Sequence, residues 1–223
     1  MTLYFMIIGL LTIFVILLIR AELLQRRKQV YFFKPISTLL VISIVALSFF
    51  KMNESNLLYS AWILVALLFS LGGDVALMFK SKPAFTIGLV LFLIAHIVYS
   101  VAFLMFNGFV PQDRVFAAVL LIAAGIVYFY LYPGLVQMKI PVLLYVLIIS
   151  FMLNQAIATC YGDFFNQTQT MLIAGGAALF YISDLILAVN KFAKPLKYHR
   201  VSLAFYYGGQ LCLASSTLFF DVT

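Results

Sequence analysis

Charge is what this 223-residue chain has least of: Asp, Glu, Lys and Arg together make up 9% of it, against 65% hydrophobic residues. Soluble domains carry roughly 25% charged residues, so this composition cannot cover a water-facing surface and the chain is expected to live in a bilayer. Acids are scarcer than bases, 7 against 14. Cysteine is nearly absent. Cys160 lies near the outer end of one apolar run and Cys212 inside another, which argues against a disulfide or a metal site and leaves both as apolar packers. His96 and His199 are the only histidines, so a zinc cluster is not expected; a carboxylate-held hard cation stays open, and no metal is assigned. The alternating polar positions of a membrane barrel are missing too, so the spans must be helices, because lipid offers an unpaired peptide group no partner. Nor does a charged segment, short apolar core and small-residue cleavage site precede a polar portion, and the N-terminal run is therefore expected to be a retained span.

What is present is a succession of apolar runs. A helix needs ~20 apolar residues to cross the hydrocarbon. On that rule the sequence divides into eight spans, 3–19, 36–50, 57–79, 84–107, 115–132, 141–159, 170–190 and 201–220, which makes an all-α polytopic membrane protein of one domain. Basic residues near span ends stay on the cytoplasmic side. Twelve of the 14 fall in odd-numbered loops: Arg20, Arg26, Arg27, Lys28 and Lys34, then Lys80 and Lys82, then Lys139, then Lys191, Lys194, Lys197 and Arg200. Only Lys51 and Arg114 fall in even-numbered ones, so both termini are expected outside, with the bacterial inner membrane as the expected location. The net charge of +7 thus reflects topology. It favours contact with anionic lipid headgroups. A nucleic-acid partner is not expected, because short loops present no domain to carry the basic residues. Oligomeric state is not legible, since lipid-facing and partner-facing apolar surfaces look alike.

Two acids interrupt this pattern. Asp74 lies in "FSLGGDVALMF" and Asp184 in "LFYISDLILAV", six residues before Lys80 and seven before Lys191 respectively. Both are then about 9–10 Å below the basic boundary at 1.5 Å per residue. An ionised carboxylate there costs at least ~2.5–3.5 kcal/mol, so each must face the bundle interior, a partner or a wet cavity. Asp74-Val75-Ala76-Leu77 also matches Asp184-Leu185-Ile186-Leu187, four spans apart. An even number of spans preserves orientation, which suggests a parallel four-plus-four repeat with halves near 1–110 and 111–223.

Further polar groups fall on faces that could meet the acids. Ser70 precedes Asp74 by one turn and Ser183 adjoins Asp184; His96 and Tyr99 are three apart on one helix, and Tyr206 and Tyr207 are four and three before Gln210. Each alone is more often a packing element than a ligand. Lys34-Pro35 is placed at the start of the second span, as a phosphate contact or as one more topogenic lysine with a helix-starting proline.

Several stretches resemble one family. "KPIST" at 34–38, "SLGGDVALM" at 70–78, "GLVLFLIAHIVY" at 88–99, "YVLIISFM" at 145–152, "GAALFYISDLILAVNKF" at 176–192 and "YYGGQ" at 206–210 are similar, in order and over most of the chain, to the YhhN family of membrane proteins, which includes the lysoplasmalogenases. The resemblance implies a membrane hydrolase that cleaves the vinyl ether bond of lysoplasmalogens to a fatty aldehyde and glycerophosphocholine or glycerophosphoethanolamine, with no organic cofactor. The positions it carries over are Lys34, Asp74, His96, Tyr99, Tyr145, Ser183, Asp184, Asn190, Tyr206 and Gln210.

That chemistry asks for what the sequence offers. Vinyl ether hydrolysis begins with slow protonation of the β-carbon; water attacks the resulting oxocarbenium ion, and the hemiacetal collapses to aldehyde and alcohol. One carboxyl must be protonated and its partner ionised, the pair glycosidases use for a similar cation, which is an analogy of chemistry and not of fold. Asp184, beside Phe180, Tyr181 and Ile182, is favoured as the acid, although the sequence does not fix the assignment. Two other readings stand beside the enzyme: a proton-coupled or lipid transporter using the same acids, and a noncatalytic scaffold in which they only join helices.

Overall fold

A computed structural model describes residues 2–50, 54–79, 81–197 and 199–220; Lys51 and Lys80, two of the basic residues that orient the chain, lie outside them. The described residues form eight α-helices and no strand: α1 (Thr2–Leu23), α2 (Arg27–Ser48), α3 (Glu54–Met78), α4 (Lys82–Asn107), α5 (Asp113–Leu131), α6 (Lys139–Ala158), α7 (Gln167–Ala188) and α8 (Ser202–Ser215). The first seven stretches are long and apolar enough to cross a membrane, as the all-α polytopic expectation requires. The eighth has only 14 residues of α-helix, extended by 3₁₀ turns at His199–Val201 and Ser216–Leu218. Tyr206, Tyr207, Gly208, Gly209 and Gln210 occupy its unbroken middle, so the difference from the 201–220 span expected lies at its ends, where the chain turns 3₁₀.

The second helix departs from expectation in the other direction. It starts at Arg27, so Lys34 and Pro35 lie inside it and do not begin it. Pro35 removes one backbone hydrogen bond without ending the helix, and the polar opening residues Arg27, Lys28 and Gln29 hid the true start from an apolar count.

Packing follows a regular scheme. In the first half α1 packs on α2, α2 on α3 and α3 on α4; in the second α5 packs on α6, α6 on α7 and α7 on α8. The halves are joined by α2 against α8 and α4 against α6. Consecutive helices α4 and α5 do not form a packing pair. The α7–α8 crossing is close: a Cβ on Gly209 would lie 2.7 Å from the Gly176 carbonyl oxygen, so only glycine permits it. After α7 the chain makes a π-helical turn, Val189–Ala193, and the Phe192 carbonyl lies so near Gly134 that no side chain would fit there.

Candidate active site

Helix α2 brings two polar side chains one turn apart, Lys34 and Thr38, to the face that meets α3. There they converge on Asp74. Lys34 Nζ lies 3.2 Å from Asp74 Oδ1 and donates to its backbone carbonyl at 3.3 Å. Thr38 donates to Oδ2 at 2.6 Å, and Tyr206, reaching across from α8, donates to the same oxygen at 2.7 Å. Gln210 in turn donates to the Tyr206 hydroxyl at 2.8 Å, fixing that hydrogen toward the carboxylate. Tyr207 donates to the Lys34 carbonyl at 3.0 Å, which ties α8 to α2. Asp74 is 1% exposed, and Oδ1 has the ammonium beside it but no aligned hydrogen-bond donor.

Asp184 has a different setting. Its Oδ2 accepts from the Tyr145 hydroxyl on α6, and His96 Nε2 on α4 lies 3.7 Å from the same oxygen. His96 packs edge-on against Tyr145 and Phe180, with ring centroids at 5.3 and 4.8 Å. No lysine or arginine pairs with this carboxyl among the described residues, and its side chain keeps 13% exposure. The two environments have a common plan. His96 follows Asp74 and Tyr206 follows Asp184 by the same 22 residues, and each reaches the acid of the other half.

Both acids line one cavity of about 930 Å³. Its mouth draws on all four odd-numbered connections: Glu22 at the end of α1, Phe79 and Ser81 after α3, Gly134 to Met138 between α5 and α6, and Lys191, His199 and Arg200 after α7. The cavity therefore opens at the basic end of the bundle, with Arg200 held 3.0 Å from Glu22. A narrower, mostly apolar cleft joins it alongside Asp184, between α4, α5, α6 and α7.

The remaining expected residues separate into groups. Ser183 lines the cavity, as do Lys34 and Tyr206. Ser70 and Tyr99 are buried, and neither lines the cavity. Asn190 accepts from Leu196 N at 2.9 Å and so fastens the π-helical turn to the loop after it, away from the acids. Lys34 is not a free surface lysine: it is buried against Asp74, because α2 begins nine residues earlier than the 36–50 span expected. Cys160 is exposed where an apolar packer was expected, since the sixth helix ends at Ala158 and the chain turns outward there. Sequence reasoning missed Thr38. Its position four residues after Lys34, on the same face as a lysine aimed into the bundle, is the signal that could have found it.

The sequence matches the model of the YhhN family over residues 29–217. It is 35% identical over 159 residues to the lysoplasmalogenase TMEM86A of Bos taurus, which is 70% of this chain and 65% of the relative. The same figures describe the match to lysoplasmalogenase TMEM86A of Homo sapiens. Lysoplasmalogenase TMEM86B of Homo sapiens is 33% identical over 165 residues, 72% of this chain and 65% of the relative. The chain thus spans 65% of the length of the curated relatives it matches. No solved structure matches it.

Proposed function

The chain belongs to the YhhN family, and on that premise we propose that it is a membrane-embedded hydrolase that cleaves the vinyl ether bond of lysoplasmalogen-type lipids, using Asp184 as acid and Asp74 as anion. The observation that carries this reading is the convergence of two carboxyls on one cavity in unlike environments. Three curated relatives with lysoplasmalogenase names support the reaction class.

The division of labour follows from the partners. Asp74 faces an ammonium and two hydroxyl donors, all of which favour negative charge. Asp184 has a tyrosine hydroxyl and aromatic neighbours instead. With Tyr145 donating to Oδ2, the other oxygen is left to hold the acidic proton. That proton passes to the β-carbon of the vinyl ether, and the π electrons of the double bond form the new C–H bond. The α-carbon and ether oxygen then share a positive charge, which the Asp74 carboxylate stabilises. The Asp74 carboxylate takes a proton from the water that adds to the α-carbon. The hemiacetal collapses by breaking the C–O bond to the glycerol, giving a fatty aldehyde and a glycerophospho-alcohol. The leaving glycerol oxygen takes the proton held by Asp74 while the hemiacetal hydroxyl gives its proton to Asp184, which restores both carboxyls and closes the cycle.

The basic end of the bundle faces the cytoplasm in this reading, so the substrate's polar head enters from the inner leaflet. Release of aldehyde from a vinyl ether lysophospholipid by the detergent-purified protein tests the proposal. Absence of aldehyde with choline and ethanolamine head groups alike would overturn it.

A further inference from the structure

The cavity has two chemically distinct lobes. One is the more polar and runs from the mouth, between α3, α4, α7 and α8, to Asp74 and Lys34. The other is the apolar cleft bounded by α4, α5, α6 and α7, where Leu89, Val127, Val146 and Ile149 supply the walls. They meet at Asp184, which lines both, together with Leu77, Phe85 and Phe92.

Resting on the hydrolase reading, we propose that the apolar cleft is the hydrocarbon-chain subsite and that the chain leaves it sideways, into the bilayer, through the gap between α4 and α5. Three observations support this. First, the bundle is closed beneath the acids. His96, Phe180 and Gln210 are fully buried, with His96 and Phe180 packed edge-on, so a chain cannot continue straight down from the carboxyls toward the far leaflet. Second, the main packing partners of α4 are α3 and α6 and that of α5 is α6, so α4 and α5 are not closely paired along their length. Leu89 on α4 and Val127 on α5, both only partly buried, border the cleft on this side. Third, the lobes are matched to an amphiphile: a mostly apolar surface on one side of Asp184, and on the other a mouth carrying Lys82 and Arg200 for a phosphate, with Lys191 at the junction of the two. A single-chain lipid with its head in the polar lobe and its chain in the cleft has its first chain carbons at Asp184. The occupant is thus a single hydrocarbon chain bearing an anionic head.

Chain-length profiles test this. Val127→Phe narrows the cleft from a helix that is mostly lipid-exposed. It is expected to raise the KM for a vinyl ether substrate with a long chain at least ~10-fold, while a short-chain analogue that ends at Asp184 changes less than ~2-fold. Leu89→Ala widens the same passage and is expected to shift the preference toward longer chains; it keeps the test decisive if Val127→Phe does not fold. A saturated ether lysolipid, which has no vinyl group to protonate, provides a readout independent of catalysis: its thermal stabilisation of the wild-type protein should grow with chain length and be blunted by Val127→Phe. Normal hydrolysis with an unchanged chain-length profile in the folded variants would overturn the subsite and leave the hydrolase reading standing. Chain-dependent stabilisation by the saturated lipid without any aldehyde release would support the subsite and remove the hydrolase reading.

Discussion

Lys34 and Asp74 form a buried ion pair, with Nζ 3.2 Å from Oδ1 and side chains 11% and 1% exposed. The pair joins α2 to α3 at the base of a cavity in which Asp74 is also held by Thr38 and Tyr206. Lys34 is therefore committed to a carboxylate before any phosphate arrives.

Removing that ammonium leaves a buried charge without its counter-ion, an effect of about 3–5 kcal/mol when one partner of such a pair is lost. Lys34→Met is expected to lower the thermal stability of the detergent-solubilised protein and to reduce kcat as well as raise KM. The loss should be similar for substrates with and without the phosphate. Adding Asp74→Asn in the same chain should recover much of the stability but none of the activity. A loss confined to the KM of phosphate-bearing substrates would show Lys34 to be a headgroup ligand.

Tyr145 acts through Asp184. Tyr145→Phe removes one hydrogen bond to the carboxyl and leaves the ring packed edge-on against His96. One such bond corresponds to about 1.4 kcal/mol, so kcat should fall ~10-fold with KM nearly unchanged. Steady-state kinetics on the folded variant decide it, and an unchanged kcat would release Tyr145 from the site.

Orientation is open to a direct chemical test because Cys160 is exposed at the end of the bundle opposite the cavity mouth. In intact cells a membrane-impermeant maleimide should label Cys160. A cysteine placed at Gln25, in the exposed turn between α1 and α2, should react only after permeabilisation. The reverse pattern would place the basic end outside.

The helices were legible because lipid imposes a length rule that soluble proteins do not obey, and seven of the eight runs satisfied it. The rule failed where polarity and helicity part company. Arg27, Lys28 and Gln29 are helical but polar, so α2 starts before its apolar run does; α8 has only 14 residues of α-helix because both ends of its run turn 3₁₀. The acids and their tyrosine, histidine and lysine neighbours were legible as polar residues that a membrane interior does not tolerate without partners. Who partners whom was not. Tyr206 on α8 serves Asp74 on α3, and His96 on α4 approaches Asp184 on α7, pairings between distant helices that no local spacing reveals. Asn190 sat in the same stretch as Asp184, and only the π-helical turn shows that its side chain holds a loop.

The central claim is that Asp74 and Asp184 divide the work of protonation and cation stabilisation, and side-chain amides test it most directly. Asp74→Asn and Asp184→Asn keep the volume and much of the hydrogen bonding of each acid; Asp74→Asn also leaves the Lys34 ammonium unpaired and is expected to lower stability, so activity is compared per amount of folded protein. An amide neither donates a proton to carbon nor stabilises a cation as a carboxylate does. Aldehyde release from a vinyl ether lysolipid by each folded single variant should fall by at least ~10²-fold in kcat, and the double variant should be little worse than the poorer single one. Near-wild-type hydrolysis by either folded variant would contradict the account and remove that aspartate from the chemistry.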